Sequence, residues 1–404
     1  MDNTVVIAGA GHAAGQVVAS LKQKKFAGRV VVLGDEPYLP YQRPPLSKKF
    51  LSGEMPAERL YVKPASFYDD TDIDVHLNSR IGDIDRSAKC VHTEDGAQFE
   101  YSKLVLATGS RVRRIDVAGS DLRGIFYLRN IQDVDDIRGA MAGAKRLVIV
   151  GAGYIGLEVA AVARTKGLEV TVLEMTERVM SRVVSPEVSA FYEQEHRERG
   201  VDLRLATGLA AFHGTGAVDA VESSDGKLIP TDFVVIGVGI LPNTELAASA
   251  GLEVDDGIVV DDRCATSDRD IFAVGDCTRH PNTIYARNLR LESVHNALEQ
   301  AKTAAANICG DELHYSQVPW FWSDQYDLKL QIAGLSEGYD QVVMRGDLAA
   351  RSFACCYLDA GRLIAVDAVN APRDFIQAKP LIAAAAMPDP ERLADSDIML
   401  KDLL

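Results

Sequence analysis

Glycines 151, 153 and 156 have the spacing of a turn that binds a dinucleotide phosphate. Gly151-Ala-Gly153-Tyr154-Ile155-Gly156 follows the apolar run 146–150 without a spacer. In such a turn the first glycine makes the bend, the second admits a pyrophosphate to the backbone, and the third lets helix and strand pack closely. The phosphate then meets the free N–H groups at the positive end of the helix dipole. The alternative is a strand-to-helix turn without a ligand.

Glu174 ends the next predicted strand, which begins at Glu169 after a helix stopped by Gly167. A carboxylate at this position accepts hydrogen bonds from the adenosine ribose hydroxyls, each worth about 1.5–3 kcal/mol. The same charge would repel a 2′-phosphate. The sequence therefore predicts NADH over NADPH.

A second glycine-rich turn lies near the start of the chain. Gly9-Ala-Gly11-His12-Ala13-Ala14 follows the strand that begins at Thr4, with Ala14 in the third glycine position. A methyl group there still allows close helix packing. Asp35 and Glu36 close the next strand, and Asp35 is preferred as the residue that binds the ribose. His12 is interpreted as filling the loop.

The segment from Pro37 to Phe50 breaks any regular pattern, because four prolines impose an extended or turning path. Arg43 and Lys48 are cations within it. Spacing alone favours equally a chemical role beside the dinucleotide site and a solvated connector.

Further strand ends point to the same kind of site. The strand 101–106 leads into a turn at Gly109, and the strand 232–236 leads to Gly239. Residues 266–277 are predicted as a strand that ends in Gly275-Asp276, whose acid would face the ligand crevice. A helix is predicted to start near Ser293, its N-cap, and to run through Ala306.

Composition limits the class of protein. A chain of 404 residues should form two or three domains. A net charge of −15 argues against nucleic acid or an anionic membrane as the main partner. No apolar run approaches the roughly 20 residues that span a bilayer, and no signal peptide is visible, so a soluble cytoplasmic protein is expected.

The six cysteines contain no Cys-x-x-Cys and no cluster with histidine at metal-ligand spacing. We therefore expect no metal site and no dithiol relay. From Pro319 alternating apolar residues predict an antiparallel meander packed against a helix from Arg373 to Ala386.

Taken together, these features resemble the FAD-dependent, NADH-using ferredoxin reductases of the putidaredoxin reductase and dioxygenase-reductase type. The resemblance covers essentially the whole chain. Its carriers are Gly9-Ala-Gly11, Arg43-Pro-Pro-Leu-Ser-Lys48, Leu106-Ala-Thr-Gly109, Gly151 to Glu158, Ala273-Val-Gly-Asp276, Glu292 to Gln300 and Pro319-Trp-Phe-Trp-Ser-Asp-Gln-Tyr326.

The resemblance implies an α/β protein of the glutathione-reductase-like fold, with two Rossmann-like nucleotide-binding domains, the NAD domain inserted in the FAD domain, and a C-terminal α+β domain. The implied FAD domain comprises residues 1–111 and 239–318, the NAD domain 112–238 and the C-terminal domain 319–404.

The resemblance also implies roles for individual residues. The implied FAD-binding residues are Gly9, Gly11, Ala13, Ala14, Asp35, Arg43, Lys48, Ile81, Arg129, Asp276 and Val294. The implied NAD-binding residues are Gly151, Gly153, Tyr154, Ile155, Gly156, Glu158, Glu174 and Gly239. Lys48 and Glu158 are the candidate catalytic residues, a charge pair beside the flavin.

The implied reaction passes hydride from NADH to FAD and then single electrons to a two-iron two-sulfur ferredoxin. That ferredoxin would supply a haem-thiolate monooxygenase or a ring dioxygenase. Because such ferredoxins are acidic, a local basic patch is expected among Arg287, Arg290, Lys302, Arg373 and Lys379. The alternatives are an NADH oxidase, a rubredoxin reductase, and a flavin-bound interaction protein resembling apoptosis-inducing factor. A monomer or weak dimer is expected.

Overall fold

The computed structural model describes residues 3–70 and 72–404, which form two compact units. The first unit comprises the described residues up to Arg43, Ala57–Arg111 and Leu241–Pro319. The second comprises Pro44–Pro56, Val112–Ile240 and Trp320–Leu404. This grouping joins the predicted NAD-binding segment with the C-terminal one, and the division into three domains stays a prediction.

The strands of the first two-thirds of the chain follow one another in this order: β1 (Thr4–Ala8), β2 (Arg29–Leu33), β3 (Ile73–His76), β4 (Ile81–Asp85), β5 (Cys90–Thr93), β6 (Gln98–Glu100), β7 (Lys103–Leu106), β8 (Ser110–Val112), β9 (Ile125–Tyr127), β10 (Arg146–Val150), β11 (Glu169–Leu173), β12 (Val201–Arg204), β13 (Leu209–Gly214), β14 (Val218–Ser223), β15 (Leu228–Pro230), β16 (Phe233–Ile236), β17 (Ile240–Pro242) and β18 (Ile258–Val259). The later strands are β19 (Ile271–Ala273), β20 (Thr278–Asn282), β21 (Arg287–Leu289), β22 (Trp320–Gln325), β23 (Leu328–Gly334), β24 (Gln341–Asp347), β25 (Ser352–Asp359) and β26 (Arg362–Val369).

The α-helices are α1 (His12–Gln23), α2 (Lys49–Ser52), α3 (Ile131–Met141), α4 (Tyr154–Thr165), α5 (Pro186–Glu198), α6 (Glu245–Ser249), α7 (Val294–Ile308), α8 (Pro372–Ala383) and α9 (Pro390–Ala394). Single 3-10 turns cover Pro44–Ser47, Ala57–Arg59, Ala65–Phe67 and Leu400–Leu403. No helix in the described part of the chain is both long enough and apolar enough to cross a bilayer.

The main sheet of the first unit is parallel and has the order β19-β7-β1-β2-β3. Its central strands are nearly continuous apolar runs, and Val5, Val6 and Ile7 have no exposed surface. This is the pattern of strands buried on both faces. The turns after β1, β2, β7 and β19 therefore meet at one edge, where parallel α/β sheets bind ligands.

The second unit repeats this plan. Its parallel sheet has the order β12-β11-β10-β16-β9, and β10 lies between β11 and β16 in register. The turn at Gly151 and the acid at Glu174 again lie at carboxyl ends of neighbouring strands. The predicted pair of nucleotide-binding sheets is confirmed.

The C-terminal part of the second unit is an antiparallel sheet of order β22-β23-β26-β25-β24, and α8 packs against its strands β23 and β26. The predicted antiparallel strands and the helix packed on them are confirmed, but the predicted meander is only partly correct. Strands β24, β25 and β26 are sequential neighbours, whereas β23 pairs with β26 instead of β24. Several predicted boundaries move: β19 covers only Ile271–Ala273, α7 ends at Ile308, and α8 covers Pro372–Ala383.

Gly156 shows why the third glycine is needed. A Cβ placed on it would lie 2.0 Å from the carbonyl oxygen of Gly151, so the helix passes too close to the turn for any side chain. In the first unit the corresponding position is Ala14, which is completely buried. The two turns therefore differ in how closely helix and strand approach.

Gly156→Ala should destabilise the protein by about 1–3 kcal/mol, since the methyl must push α4 away from the turn. Gly139→Ala is the matched control, because Gly139 lies in α3 and a Cβ there meets nothing within 4 Å. That control should stabilise by up to about 1 kcal/mol through helix propensity. Urea unfolding of the two variants measures both. If the two variants had equal free energies of unfolding, the close contact at Gly156 would not contribute to stability.

Candidate functional site

The turn after β1 leaves room beside its backbone at the second glycine. A Cβ on Gly11 would meet no atom within 4 Å, whereas one on Gly9 would lie 2.3 Å from the carbonyl oxygen of Ala107. Gly11 is the N-cap of α1, has no side-chain cap, and no acid lies in the first turn. Ala13 and Ala14 are buried behind it. The turn thus fits a pyrophosphate on the helix amino terminus.

The acids that follow β2 have different surroundings. Arg43 Nη2 lies 2.7 Å from Glu36 Oε1, and the Tyr41 hydroxyl donates to Glu36 Oε2 at 2.6 Å. Asp35 is exposed. Glu36 is thus engaged with Arg43 and Tyr41, and Asp35 is the more exposed of the two acids.

His12 stands in the phosphate loop. Burial, and next the positive charge of Arg43, lower the pKa of His12 to about 4, against an opposing effect of Asp276. The ring is therefore neutral at pH 7 and adds no charge to the loop.

Gln300 connects the loop that carries Asp276 to the helix that begins at Val294. Its Oε1 accepts from the Gly275 amide at 2.7 Å, from Thr278 Oγ1 at 3.0 Å and from Asn296 Nδ2 at 3.2 Å. Ser110 Oγ donates to Asp276 Oδ2 at 2.9 Å. Gln300 has no exposed surface, so the network is sheltered from water.

Helix α7 begins where the sequence predicts, directly after Ser293. Ser293 is the N-cap, and its Oγ accepts from the Asn296 amide at 3.1 Å. The first amides of a helix have no intrahelical partner, so Val294 can present its N–H to a ligand. Ile81 lies at the start of β4, and Arg129 lies just before α3 in the second unit; both are half-buried.

The turn after β10 has the features of the first one. A Cβ on Gly153 meets nothing within 4 Å, and Gly153 caps α4 without a side-chain hydrogen bond. Tyr154 packs its ring against Phe321, with centroids 4.8 Å apart. Ile155 is exposed. Gly239, after β16, accepts from the Arg113 amide at 3.0 Å.

Glu174 is hydrogen-bonded to the glycine turn that follows β10. Its Oε2 accepts from the Ala152 amide at 2.8 Å, and its Oε1 accepts from the amide and hydroxyl of Thr176 at 2.9 and 2.8 Å. Each carboxylate oxygen can accept more than one hydrogen bond, so capacity for ribose hydroxyls remains.

Lys48 and Glu158 form an ion pair in the second unit, with Nζ and Oε2 2.7 Å apart. Glu158 is 1% exposed and the Lys48 side chain 15% exposed. Ser47 Oγ donates to the same Oε2, and Ser323 Oγ donates to Oε1 at 2.6 Å. A buried charge is tolerated when it is paired and hydrogen-bonded in this way.

The cations of the predicted basic patch are partly neutralised. Arg290 pairs with both Asp256 and Glu292, and its side chain is 18% exposed. Lys302 is 48% exposed and lies 2.6 Å from Glu299. In the second unit Arg373 is exposed, and Lys379 lies over the rings of Trp320 and Phe375. Lys302 and Arg373 are thus the most accessible members.

All six cysteines are free thiols. Burial raises the pKa of Cys355 to about 12 and raises that of its neighbour Cys356. A thiol that stays protonated is a poor nucleophile, so these residues are unsuited to redox exchange. Among residues 3–70 and 72–404 no group of three or more His, Cys, Asp or Glu side chains could hold a metal ion.

Sequence reasoning missed the hydrogen-bonding residues Ser47, Ser323, Gln300 and Thr176. Ser47, Gln300 and Ser323 lie inside motifs that carry the resemblance, 43–48, 292–300 and 319–326, but no role was assigned to them. Sequence reasoning also assigned no role to Gly15, which follows Ala14 in α1. A Cβ on Gly15 would lie 2.9 Å from Cβ of Pro40, so this glycine lets the proline-rich segment approach α1.

Comparisons with known proteins agree with this geometry. Residues 3–301 match the pyridine nucleotide-disulphide oxidoreductase family, and residues 320–404 match the reductase C-terminal family. Putidaredoxin reductase of Pseudomonas putida is 42% identical over 409 residues, covering 100% of this chain and 97% of that protein. The ferredoxin–NAD(+) reductase component of the anthranilate 1,2-dioxygenase system of Burkholderia cepacia is 42% identical, covering 99% and 98%.

A solved structure is also similar. The crystal structure of the covalent putidaredoxin reductase–putidaredoxin complex contains a chain that is 42% identical, with a TM-score of 0.96. The match covers 100% of this chain and 98% of that chain.

The chain therefore belongs to the pyridine nucleotide-disulphide oxidoreductase family. Within it the chain is a ferredoxin reductase of the putidaredoxin reductase type, and the resemblance seen in the sequence is confirmed. Its cofactors are FAD and NAD(P)H. Both glycine turns, with their open second glycines and uncapped helix ends, fit such dinucleotides.

Proposed function

We propose that this protein transfers electrons from NADH through FAD to a two-iron two-sulfur ferredoxin that serves a haem-thiolate monooxygenase or a ring dioxygenase. The observation that carries the proposal is the presence of two complete dinucleotide-binding turns in a chain whose six cysteines are all free. Electron flow to a ferredoxin is supported by the relatives. A cytoplasmic location and a monomer or weak dimer are part of the proposal.

The bound flavin would supply the chemistry, since it accepts hydride from the nicotinamide and releases two electrons singly. The residues of this chain bind and orient. In the first unit Asp35 would bind ribose, Asp276 the ribityl chain, and the Val294 amide the ring edge where negative charge develops. Ile81, Arg43 and Arg129 complete the proposed contacts. Lys48, held by Glu158, would place a positive charge beside the ring.

NADH is the proposed donor, and the support comes from the surroundings of Glu174. A 2′-phosphate needs a cation, and Arg178 is nearby in sequence. Its guanidinium donates to the carbonyl oxygens of Val184 and Ser181 and to Ser189 Oγ, at 2.6–2.7 Å. With that guanidinium engaged and the Glu174 carboxylate present, a 2′-phosphate would meet repulsion.

Acceptor specificity is the direct test of the function. Purified yellow protein should reduce cytochrome c with NADH several-fold faster when a two-iron ferredoxin is added, with little oxygen uptake in its absence. Rapid oxygen uptake without stimulation would favour an NADH oxidase, and stimulation by rubredoxin alone would favour a rubredoxin reductase. Very slow flavin reduction with an NADH-dependent change in size would favour the interaction protein.

Glu174→Ala should reduce the preference for NADH over NADPH by one to two orders of magnitude, from loss of a charged acceptor worth about 1.5–3 kcal/mol. Glu174→Gln retains an acceptor and removes the charge, so it should improve NADPH use more than it harms NADH use. Glu177→Ala is the control, because Glu177 is an exposed acid three residues away. The ratio of kcat/KM values measures the preference, and an unchanged ratio in both Glu174 variants would assign the ribose to another residue.

We also propose that the ferredoxin docks on the cations Arg287, Arg290, Lys302, Arg373 and Lys379. Lys302→Glu should raise the ferredoxin KM several-fold at low ionic strength and much less in high salt, because exposed charges are screened. Lys227→Glu is matched to it, since Lys227 is also exposed and pairs with an acid, Asp225, at 2.7 Å. If both variants shift KM equally, only net charge matters and the docking surface lies elsewhere.

A further inference from the structure

Two side chains of β22 face the interior of the second unit and lead to Glu158. Ser323 and Gln325 alternate along the strand, so they share one face, and neither has exposed surface. Ser323 Oγ donates to Glu158 Oε1 at 2.6 Å, and Gln325 Nε2 donates to Ser323 Oγ at 3.3 Å. The serine hydroxyl thus accepts one hydrogen bond and donates another toward the carboxylate.

The connection continues to His196 on α5. Its Nε2 lies 2.8 Å from Gln325 Oε1, and its Nδ1 lies 3.2 Å from the Tyr326 hydroxyl. Burial lowers the pKa of His196 to about 4, so at pH 7 one ring nitrogen donates and the other accepts. Since Gln325 Oε1 can only accept, Nε2 must donate to it, and Nδ1 then accepts from Tyr326.

Each hydrogen bond in this series is therefore donated in the direction of Glu158. The order is Tyr326, His196, Gln325, Ser323 and finally Glu158, which also receives Lys48 and Ser47 on its other oxygen. Hydrogen bonds that run in series polarise one another, and the effect is larger where water is excluded. The far end of the series is Tyr326, which has φ of +57° in the turn between β22 and β23.

We propose that Ser323, Gln325 and His196 are positioning residues that hold the Glu158 carboxylate and, through it, fix Lys48 Nζ for flavin reduction. The inference rests on the proposed role of the Lys48–Glu158 pair beside the flavin. Without Ser323, Glu158 Oε1 loses its donor in a site that is 1% exposed, and the carboxylate can turn away from Lys48. The residues act on the geometry of a charged pair and do not touch the reacting atoms.

The test is anaerobic stopped-flow reduction of the FAD-loaded protein by NADH, without ferredoxin, in Ser323→Ala and Ser323→Thr. The alanine variant should lower the limiting rate constant about tenfold, the scale of one lost charge-assisted hydrogen bond, while the NADH Kd changes less than about twofold. Threonine keeps the hydroxyl and should restore the rate. The flavin midpoint potential and Tm are measured on the same samples.

Asp324→Asn is the control, because Asp324 lies on the opposite face of the same strand. It should leave the rate constant unchanged. If Ser323→Ala fails to fold, Gln325→Met probes the next link with little change in volume, and it should shift the rate constant in the same direction by a smaller factor.

Glu158→Gln distinguishes the role of Ser323 from the role of the Lys48–Glu158 pair. A slow Glu158→Gln with a normal Ser323→Ala would overturn the positioning role and leave the proposed pair intact. If both Glu158→Gln and Ser323→Ala have normal rate constants and midpoint potentials, the Lys48–Glu158 pair has no role in flavin reduction. A lower Tm in Ser323→Ala, with unchanged rate constant and potential, would mean that the hydrogen bonds serve the fold alone and would also overturn the inference.

Discussion

The second unit depends on a buried carboxylate. Glu158 is 1% exposed, and a charge in such a place is stable only when paired and hydrogen-bonded. The ion pair and its hydrogen bonds join three separate segments: helix α4 carries Glu158, the proline-rich segment supplies the donors Ser47 and Lys48, and the C-terminal strand β22 supplies the donor Ser323. Removing any one leaves an uncompensated polar group. The ion pair thus requires that the nucleotide-binding sheet and the C-terminal sheet form one unit.

The first unit also contains a buried polar side chain that is hydrogen-bonded, but this side chain is neutral. Gln300 is completely buried and receives three hydrogen bonds, from the loop that carries Asp276 and from the helix that begins at Val294. The side-chain amide of Gln300 thereby holds together the two segments that carry the proposed flavin contacts Asp276 and Val294. Because flavin and nicotinamide carry the reactivity themselves, a rigid frame of this kind is what the protein has to contribute.

Local sequence predicted those features that local forces determine. The strand–glycine–helix units, the Ser293 N-cap and the alternating C-terminal strands all follow from periodicity and turn chemistry, and each is present. Periodicity did not predict the order of those strands, in which β23 pairs with β26. Sequence could not predict that Ser323 meets Glu158, since 165 residues separate them. It also gave no sign that Arg290 pairs with Asp256, because that pairing depends on the fold. The functional assignment needed the resemblance, as spacing alone does not distinguish FAD from NAD.

Electrons are expected to pass from nicotinamide to flavin to ferredoxin without a thiol relay, although the family is named for disulfide chemistry. The most direct measurement is an anaerobic titration of the FAD-loaded protein with NADH, followed by absorbance. All six cysteines are free, so one equivalent of NADH per FAD should bleach the flavin completely, with no further uptake. A requirement for two equivalents, with new thiols appearing in the process, would reveal a redox-active disulfide and contradict the account.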